Sequence, residues 1–166
     1  MIVSNASTLI LLAKVELLET FLAALDERVA IPKEVERECC EEKRTPDALL
    51  IRKAIADGKI AVRTIKATKL YGRLLADFPL GKGEAEALAL ALSRKARLFV
   101  TDDKKAIQAS KLLKIPFATA VGILVRVYGK GLLGKKEAQL KLESLAKYGR
   151  YKKDIVEDAK TRLEVR

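Results

Sequence analysis

The chain alternates short apolar runs with longer stretches in which apolar residues recur every three to four positions. The first pattern predicts strands and the second predicts amphipathic helices. The predicted strands lie at residues 1–3, 28–31, 60–65, 97–101 and 115–117. The predicted helices begin near residue 8 and continue at residues 15–25, 32–42, 46–56, 68–76, 84–93, 104–113, 119–128, 135–148 and 152–163. This alternation indicates an α/β fold with three α/β/α layers and a short, mostly parallel central sheet.

Residues 98–103, Leu-Phe-Val-Thr-Asp-Asp, are the part of the pattern that points to chemistry. A buried strand here ends in two adjacent carboxylates, Asp102 and Asp103, just before a helix begins. In an open α/β sheet, residues that follow a strand line the crevice where ligands bind. Paired acids at that position indicate a divalent cation.

The length of 166 residues suits a single domain with a core of ordinary size. No linker rich in Ser, Gly or Pro and no repeat of fixed period divides the sequence. Lys or Glu interrupts each apolar run well before the roughly 20 residues that a membrane span requires. With no basic leader before the first strand, we expect a cytoplasmic protein that has no membrane partner.

The sequence contains no histidine, which excludes imidazole acid–base catalysis and the Ser–His and Cys–His nucleophile systems. Cys39 and Cys40 are adjacent, so they lack the spacing of a zinc site and cannot readily bridge each other. On a helix, one of them is expected to face inward as a small apolar side chain. A hydrolase of this composition would depend mainly on carboxylates and a hard metal ion.

The net charge of +11 is concentrated in the last third of the chain. Residues 1–110 carry 19 Lys and Arg against 16 Asp and Glu, whereas residues 111–166 carry 14 against 6. Such a basic segment suits a polyanionic partner such as RNA or DNA. The other interpretation is that Lys and Arg merely solvate helix faces, as in heat-adapted proteins, which are poor in Asn and Gln. This chain has one Asn and two Gln.

Four segments together resemble the PIN-domain ribonucleases, most closely a PIN-like branch of unknown function related to the toxins of toxin–antitoxin modules. They are Ile-Val-Ser-Asn-Ala-Ser at residues 2–7, Ile-Pro-Lys-Glu-Val-Glu-Arg-Glu at 31–38, Gly-Lys-Gly-Glu-Ala-Glu-Ala-Leu-Ala-Leu-Ala at 81–91, and residues 98–103 with the helix that follows. The similarity covers about residues 1–130, the proposed PIN-like domain. Residues 131–166 are then expected to form a basic helical extension packed on the same domain.

The resemblance implies an acidic cluster that gathers Mg²⁺ or Mn²⁺ at the carboxyl ends of the strands and cuts RNA with metal-activated water. Residue by residue, it places the first site position at Asn5, the second at Glu38, the third at Glu84 and the fourth at Asp103, with Asp102 as a further ligand. Oxygen ligands suit a hard cation, and several carboxylates can share a site only if a cation offsets their repulsion.

Each of these residues also has an ordinary structural interpretation. Glu84 follows a glycine loop at residues 80–83 and can stabilise a helix start through the helix dipole. Glu38 lies among other glutamates and can be a solvated acid. Asp102 or Asp103 can cap the next helix, and Asn5 can serve as an N-cap. Asn5 stands where the family usually has Asp, which removes one charge from a divalent site.

Three functional hypotheses follow. The first is a metal-dependent ribonuclease of the PIN type. The second is a PIN-like module that has lost turnover and retains nucleic-acid or protein binding, an interpretation that Asn5 favours. The third is a toxin paired with a small antitoxin, and self-association is a further expectation from the resemblance.

Overall fold

Five short strands and ten helices follow one another in the computed structural model, which describes residues 1–41, 43–66 and 68–165. The strands are β1 (Ile2–Ser4), β2 (Val29–Pro32), β3 (Ile60–Arg63), β4 (Leu98–Val100) and β5 (Phe117–Ala118). The helices are α1 (Ala6–Lys14), α2 (Leu18–Ala23), α3 (Lys33–Cys40), α4 (Pro46–Ala56), α5 (Thr68–Asp77), α6 (Lys82–Ser93), α7 (Lys104–Leu112), α8 (Ala120–Gly129), α9 (Lys135–Tyr148) and α10 (Lys153–Glu164). Among the described residues, none of these helices combines the length and the apolar character needed to cross a bilayer.

The strands form one parallel sheet in the order β3-β2-β1-β4-β5. In the register of the central strand, Val3 lies opposite Ala30 on one side and Phe99 on the other. Along the chain, β2 and β3 are added to one side of β1, and β4 and β5 are then added to its other side. The reversal falls between β1 and β4, and in such sheets the ligand crevice opens at the carboxyl ends of the two strands that flank the reversal.

The order in which the strands are added decides which face of the sheet each helix covers. Right-handed crossovers from β1 to β2 to β3 place α1 to α4 on one face, while crossovers from β3 to β4 to β5 place α5 to α7 on the other. The contacts agree, because α1 packs on α3 and α4, whereas α6 packs on α5, α7 and the strands β1 and β2. The fold is therefore a three-layer α/β/α arrangement, as the sequence pattern predicts.

One hydrophobic core runs through the molecule and includes the C-terminal helices. Phe99 and Ile2 are fully buried in the sheet, and Leu88 of α6 lies against it. Helices α9 and α10 pack on each other and on α8. Leu142 and Leu163 contribute to the same core, so the basic extension buries its apolar stripe against the rest of the chain.

The predicted elements are present, and their differences from the structure lie at their ends. The residues 82 and 83 expected in a loop form the first turn of α6, since Gly81 is the N-cap. Glu16, at φ 57°, turns the chain between α1 and α2. The helix expected over residues 32–42 ends at Cys40, and Glu42 lies outside the described residues.

Candidate functional site

The sequence-predicted site residues lie along the edge where the parallel strands end, here called the carboxyl edge. Asn5 directly follows β1, and residues 101–103 directly follow β4. Glu38 lies on α3, the helix that begins at the end of β2, and Glu84 lies in the first turn of α6. Asn5 and residues 101–103 therefore flank the crevice between β1 and β4.

Asn5 connects the two strands at the crevice through its side-chain amide. It is buried, with 1% of its surface exposed. Its Oδ1 accepts the backbone N–H of Thr8 at 3.2 Å and caps α1, the structural role that the sequence allowed. Its Nδ2 donates to Thr101 Oγ1 at 2.8 Å. Both polar atoms of this amide are thus already bonded within the protein.

Asp102 is held by four hydrogen bonds from three parts of the chain. Oδ2 accepts from Thr8 Oγ1 at 2.9 Å, both oxygens lie 3.2 Å from the backbone nitrogen of Ala120, and the Tyr151 hydroxyl donates to Oδ1. Burial raises the pKa of Asp102, and the hydrogen bonds from Tyr151, Thr8 and Ala120 oppose that rise. Asp102 therefore joins β4 to α1, α8 and the segment between α9 and α10.

Asp103 caps α7, the role that the sequence allowed for one of the two acids. Its Oδ2 accepts the backbone N–H of Ala106 at 2.8 Å. The buried Thr101 hydroxyl accepts the backbone N–H of Asp103 at 3.2 Å, so it supports the turn. Because the same hydroxyl oxygen is bonded to Asn5, the structure links Asn5, Thr101 and Asp103 in one chain of hydrogen bonds.

Glu38 and Glu84 approach each other where α3 packs on α6. Glu38 is half-buried, and burial, then the neighbouring charges of Glu84 and Glu34, raise its pKa. Its carboxylate lies on the bare backbone of Gly83, where a Cβ atom would meet Glu38 Cδ at 2.8 Å. Burial and like charge thus both disfavour the ionised form of Glu38.

A surface groove places Glu38 beside the start of α1. Ala6, Ser7 and Ile10 line one side of this groove, and Glu38 lies on the other. Ser7 also points its hydroxyl toward Asn5 Oδ1 at 3.5 Å. The groove therefore connects Glu38 to the start of α1, next to Asn5.

Glu86 lies apart from that pair, as its position two residues beyond Glu84 predicts. It is half-buried, and burial raises its pKa while a hydrogen bond from the backbone N–H of Glu34 lowers it. Glu34 is in the first turn of α3, so Glu86 caps a neighbouring helix from outside.

The cysteines have no part in the site. The sequence predicts one buried cysteine, whereas both Cys39 and Cys40 are buried and free. Burial raises the pKa of Cys39 to about 12, which makes its thiol a poor nucleophile at neutral pH.

The structure thus brings the predicted residues together in two groups, Asn5 with Asp103 and Glu38 with Glu84. Within the described part of the chain, no three Asp, Glu, Cys or His side chains form a group that could hold a metal ion. The Glu38–Glu84 pair has suitable chemistry for a hard cation, because a cation would relieve its repulsion. Before Asn5 or Asp102 could bind a metal ion, its side chain would have to break the hydrogen bonds described above.

Thr8 and Tyr151 are the contributors that sequence reasoning missed. Both bond to Asp102, from 94 and 49 residues away in the sequence. The local signal for Thr8 was its position next to the capping segment at residues 4–7. No local pattern points from Tyr151 to Asp102, since only the docking of the C-terminal helices brings them together.

Comparison with protein-family models agrees with the α/β/α fold. A family model described as a PIN domain matches residues 1–164, nearly the whole chain. Comparison with the curated proteins and with the solved structures found no match. The family match extends through the C-terminal helices, beyond the segment at residues 1–130 that carries the recognisable motifs.

Proposed function

Because this chain belongs to the PIN-domain family, we propose that it hydrolyses RNA phosphodiester bonds in a reaction that depends on Mg²⁺ or Mn²⁺. The fold is nuclease-like, and PIN domains generally use divalent metals. The observation that carries the proposal is the pair of carboxylates, Glu38 and Glu84, at the carboxyl edge beside the β1–β4 crevice. Their repulsion contributes to the raised pKa of Glu38, which is the electrostatic situation that a bound cation relieves.

In this proposal, Glu38 and Glu84 would hold the ion, and Asp103 would complete the set after the acids move closer together, because the described acids form no three-residue metal group in this structure. A divalent ion at that place would polarise the phosphodiester and lower the pKa of a bound water. Among the contacts of the described residues, Oδ2 of Asp103 caps α7, so Oδ1 is left to bind the metal ion. Asn5 would act as a neutral ligand or orient water once its Oδ1 is released from the cap of α1. Asp102, through its bonds to Thr8 and Ala120, anchors the chain next to Asp103.

The test is cleavage of a single-stranded RNA with Mn²⁺ by the full chain and by Glu38→Gln, Glu84→Gln and Asp103→Asn. Each substitution is expected to lower the rate roughly 100-fold, which corresponds to about 3 kcal/mol of transition-state stabilisation. Glu143→Gln, an exposed acid on α9, is the matched control and should retain the wild-type rate. Unchanged cleavage by Asp103→Asn and Glu84→Gln would contradict the site.

A second candidate function is an RNA-binding module with weakened turnover. The observation that favours it is Asn5, whose buried amide replaces a charge and is fully engaged in hydrogen bonds. Asn5→Asp retains the cap, because Asp is an equally good N-cap residue, and Thr101 can donate its hydroxyl proton to the new carboxylate.

The Asn5→Asp variant separates the two functions. If the wild type binds RNA without cleaving it and Asn5→Asp cleaves in Mn²⁺, the weakened module is correct. If the wild type already cleaves at a rate that depends on Glu84, the ribonuclease is correct. Asn5→Ala, which loses both cap and oxygen, is the control for effects of folding alone.

A further inference from the structure

Six exposed lysines occupy the first positions of four helices that begin at the carboxyl edge. We call this set the lysine rim; its members are Lys33 of α3, Lys82 of α6, Lys104 and Lys105 of α7, and Lys152 and Lys153 at the start of α10. Four separate segments of the sequence therefore place cations around the acidic residues of the candidate site.

The four helix starts share this edge for identifiable reasons. Helices α3 and α7 follow directly from the ends of β2 and β4. Helix α6 leads into the beginning of β4, so its own beginning lies at the carboxyl edge, where Gly83 contacts Glu38. The start of α10 is held at the carboxyl edge by Tyr151, two residues before the helix, whose hydroxyl donates to Asp102.

The rim lysines are placed against the usual electrostatic preference of helices. A helix N-terminus carries partial positive charge, so a lysine at the first position is unfavourable unless something else offsets it. Among the contacts of the described residues, none of the six makes an ion pair or a side-chain hydrogen bond. The charge of Lys82 lowers the pKa of Glu34, to which Arg37 makes the larger contribution.

Some cations elsewhere on the surface form ion pairs, whereas others, such as Lys59 and Lys95 at the opposite edge, make no ion pair or side-chain hydrogen bond among the described contacts. Lys53, Lys160 and Arg162 each pair with an acid three or four residues away, at 3.2, 3.3 and 3.0 Å. These pairs follow the ordinary spacing of helix-surface ion pairs. What distinguishes the rim is its place, because its six exposed lysines surround the acids of the candidate site and are not used in pairs among the described contacts.

We propose that the lysine rim binds the phosphates of a single-stranded RNA and directs the strand along the carboxyl edge past Glu38, Glu84 and Asp103. The inference rests on the proposed function for the identity of the polyanion. Charge complementarity selects the phosphate backbone. A single strand suits the site because Glu38 is half-buried in a surface groove, which a flexible strand can follow.

Tyr151 is a positioning residue in this arrangement. Its hydroxyl bonds Asp102, next to Asp103, so the two lysines that follow it lie on the same edge as Lys104 and Lys105. Lys152 and Lys153 are the two rim members from the basic C-terminal third. The interface therefore includes lysines of α3, α6 and α7 in addition to the C-terminal segment that the charge distribution indicated.

The experiment measures RNA binding by the full chain in EDTA, where no divalent metal can support cleavage. Fluorescence anisotropy of a short labelled single-stranded RNA over a salt series gives the affinity and its salt slope. Lys104→Gln/Lys105→Gln and Lys152→Gln/Lys153→Gln should each weaken binding about tenfold and reduce the slope by about 1.4, because each phosphate contact of a single strand contributes about 0.7. Lys59→Gln/Lys95→Gln removes two exposed lysines at the opposite edge and should change neither quantity.

Tyr151→Phe tests the positioning role because it keeps the ring and deletes the hydroxyl. We expect weaker RNA binding, and we expect Lys152→Gln/Lys153→Gln to have less effect in this background than in the wild type. A merely structural role would leave the effects of the two changes additive.

Equal losses in the rim and control variants would overturn the inference. Displacement of the RNA by polyglutamate as effectively as by unlabelled RNA of equal charge would also overturn it, and would indicate an acidic protein partner. Rim-dependent binding without cleavage in Mn²⁺ would refute the ribonuclease alone. Cleavage with rim-independent binding would refute the rim alone.

Discussion

Individual residues at the carboxyl edge each have a structural role and also a candidate role in metal binding. Asp103 is both the cap of α7 and a candidate metal ligand, and Glu84 both opens α6 and repels Glu38. Glu38 differs, because burial and the charges of Glu84 and Glu34 outweigh the opposing charges of Arg37 and Lys43, and its carboxylate accepts no hydrogen bond among the described contacts. Residues that lower stability in this way are typical of functional sites.

We therefore predict that Glu38→Gln stabilises the protein in the absence of metal. The raised pKa of Glu38 means that its ionised form costs stability, so the gain should be present at pH 7 and above and should fade as the pH drops through its folded-state pKa. Because Glu38 is partly exposed, the rise in Tm should be modest, about 1–2 °C. Thermal denaturation in EDTA across pH measures it.

The exposed Glu41→Gln on the same segment is the control and should show no such gain. Adding Mn²⁺ should raise the Tm of the wild type and leave Glu38→Gln nearly unaffected, because a ligand stabilises only the state that binds it. A Glu38→Gln variant less stable than wild type at pH 7 would show that the carboxylate makes a favourable contact.

Gly83 gives a second prediction at this scale. A Cβ here would occupy the place of the Glu38 carboxylate, which is the far end of a flexible side chain and can move aside. Gly83→Ala should keep or raise stability, since Ala favours a helix by up to about 1 kcal/mol. It should also lower Mn²⁺-dependent cleavage about tenfold by displacing Glu38.

Gly72→Ala is the matched control, because its Cβ would meet open space on α5. That variant should gain comparable helix stability and retain full cleavage. A Gly83→Ala enzyme with wild-type activity would show that the position of Glu38 is unimportant.

At the scale of elements, the structure depends on how the segment between α9 and α10 meets the sheet. Tyr151 reaches Asp102, which in turn receives the N-terminal backbone of α8 and the Thr8 hydroxyl of α1. Two helices and the α9–α10 segment thus meet at one carboxylate, which directly follows β4. A buried carboxylate with several donors is stable only while the donors remain, because an unpaired buried charge is costly.

Removal of the Tyr151 hydroxyl should therefore destabilise the folded chain. We predict that Tyr151→Phe lowers the free energy of unfolding by about 1–3 kcal/mol at neutral pH. It should also raise the pKa of Asp102 further, since the lost hydrogen bond favours the ionised form. The loss in stability should shrink at acidic pH, where Asp102 is protonated in both proteins.

Urea denaturation at several pH values and NMR titration of the Asp102 carboxyl measure these effects. Tyr148→Phe is the control, because its ring is 55% exposed at the end of α9. An unchanged Asp102 pKa in Tyr151→Phe would contradict the proposed coupling.

At the scale of the whole molecule, the C-terminal helices and the sheet share one core. Leu163 near the end of α10 is fully buried, and Leu142 of α9 is 1% exposed. The family match also continues to residue 164. We expect the chain to unfold in one cooperative transition rather than lose residues 131–166 first.

Leu163→Ala tests this expectation. It should lower the free energy of unfolding by about 2–5 kcal/mol, the usual cost of truncating a buried leucine, and should shift the entire transition. Val165→Ala, at a position 84% exposed, should have little effect. A separate early transition in Leu163→Ala, monitored by calorimetry, would show that the extension unfolds independently.

The sequence by itself determined most of the fold. Strand and helix positions follow from hydrophobic periodicity and capping residues, which act over a few neighbouring positions, and α4 and α9 have the predicted bounds. Element ends were less predictable, as at Gly81, because a glycine loop and a helix start share the same local signals. The capping role of Asp103 and the separation of Glu86 from Glu84 were also local properties.

Only the tertiary structure decided which side chains meet. Asn5 with Thr101, Asp102 with Tyr151, and Glu38 with the bare backbone of Gly83 are contacts across 96, 49 and 45 positions of the chain. No local pattern specifies such pairs, since they arise from strand order and helix docking. The same long-range packing places six lysines from four segments on one edge, whereas the sequence alone showed only an excess of positive charge.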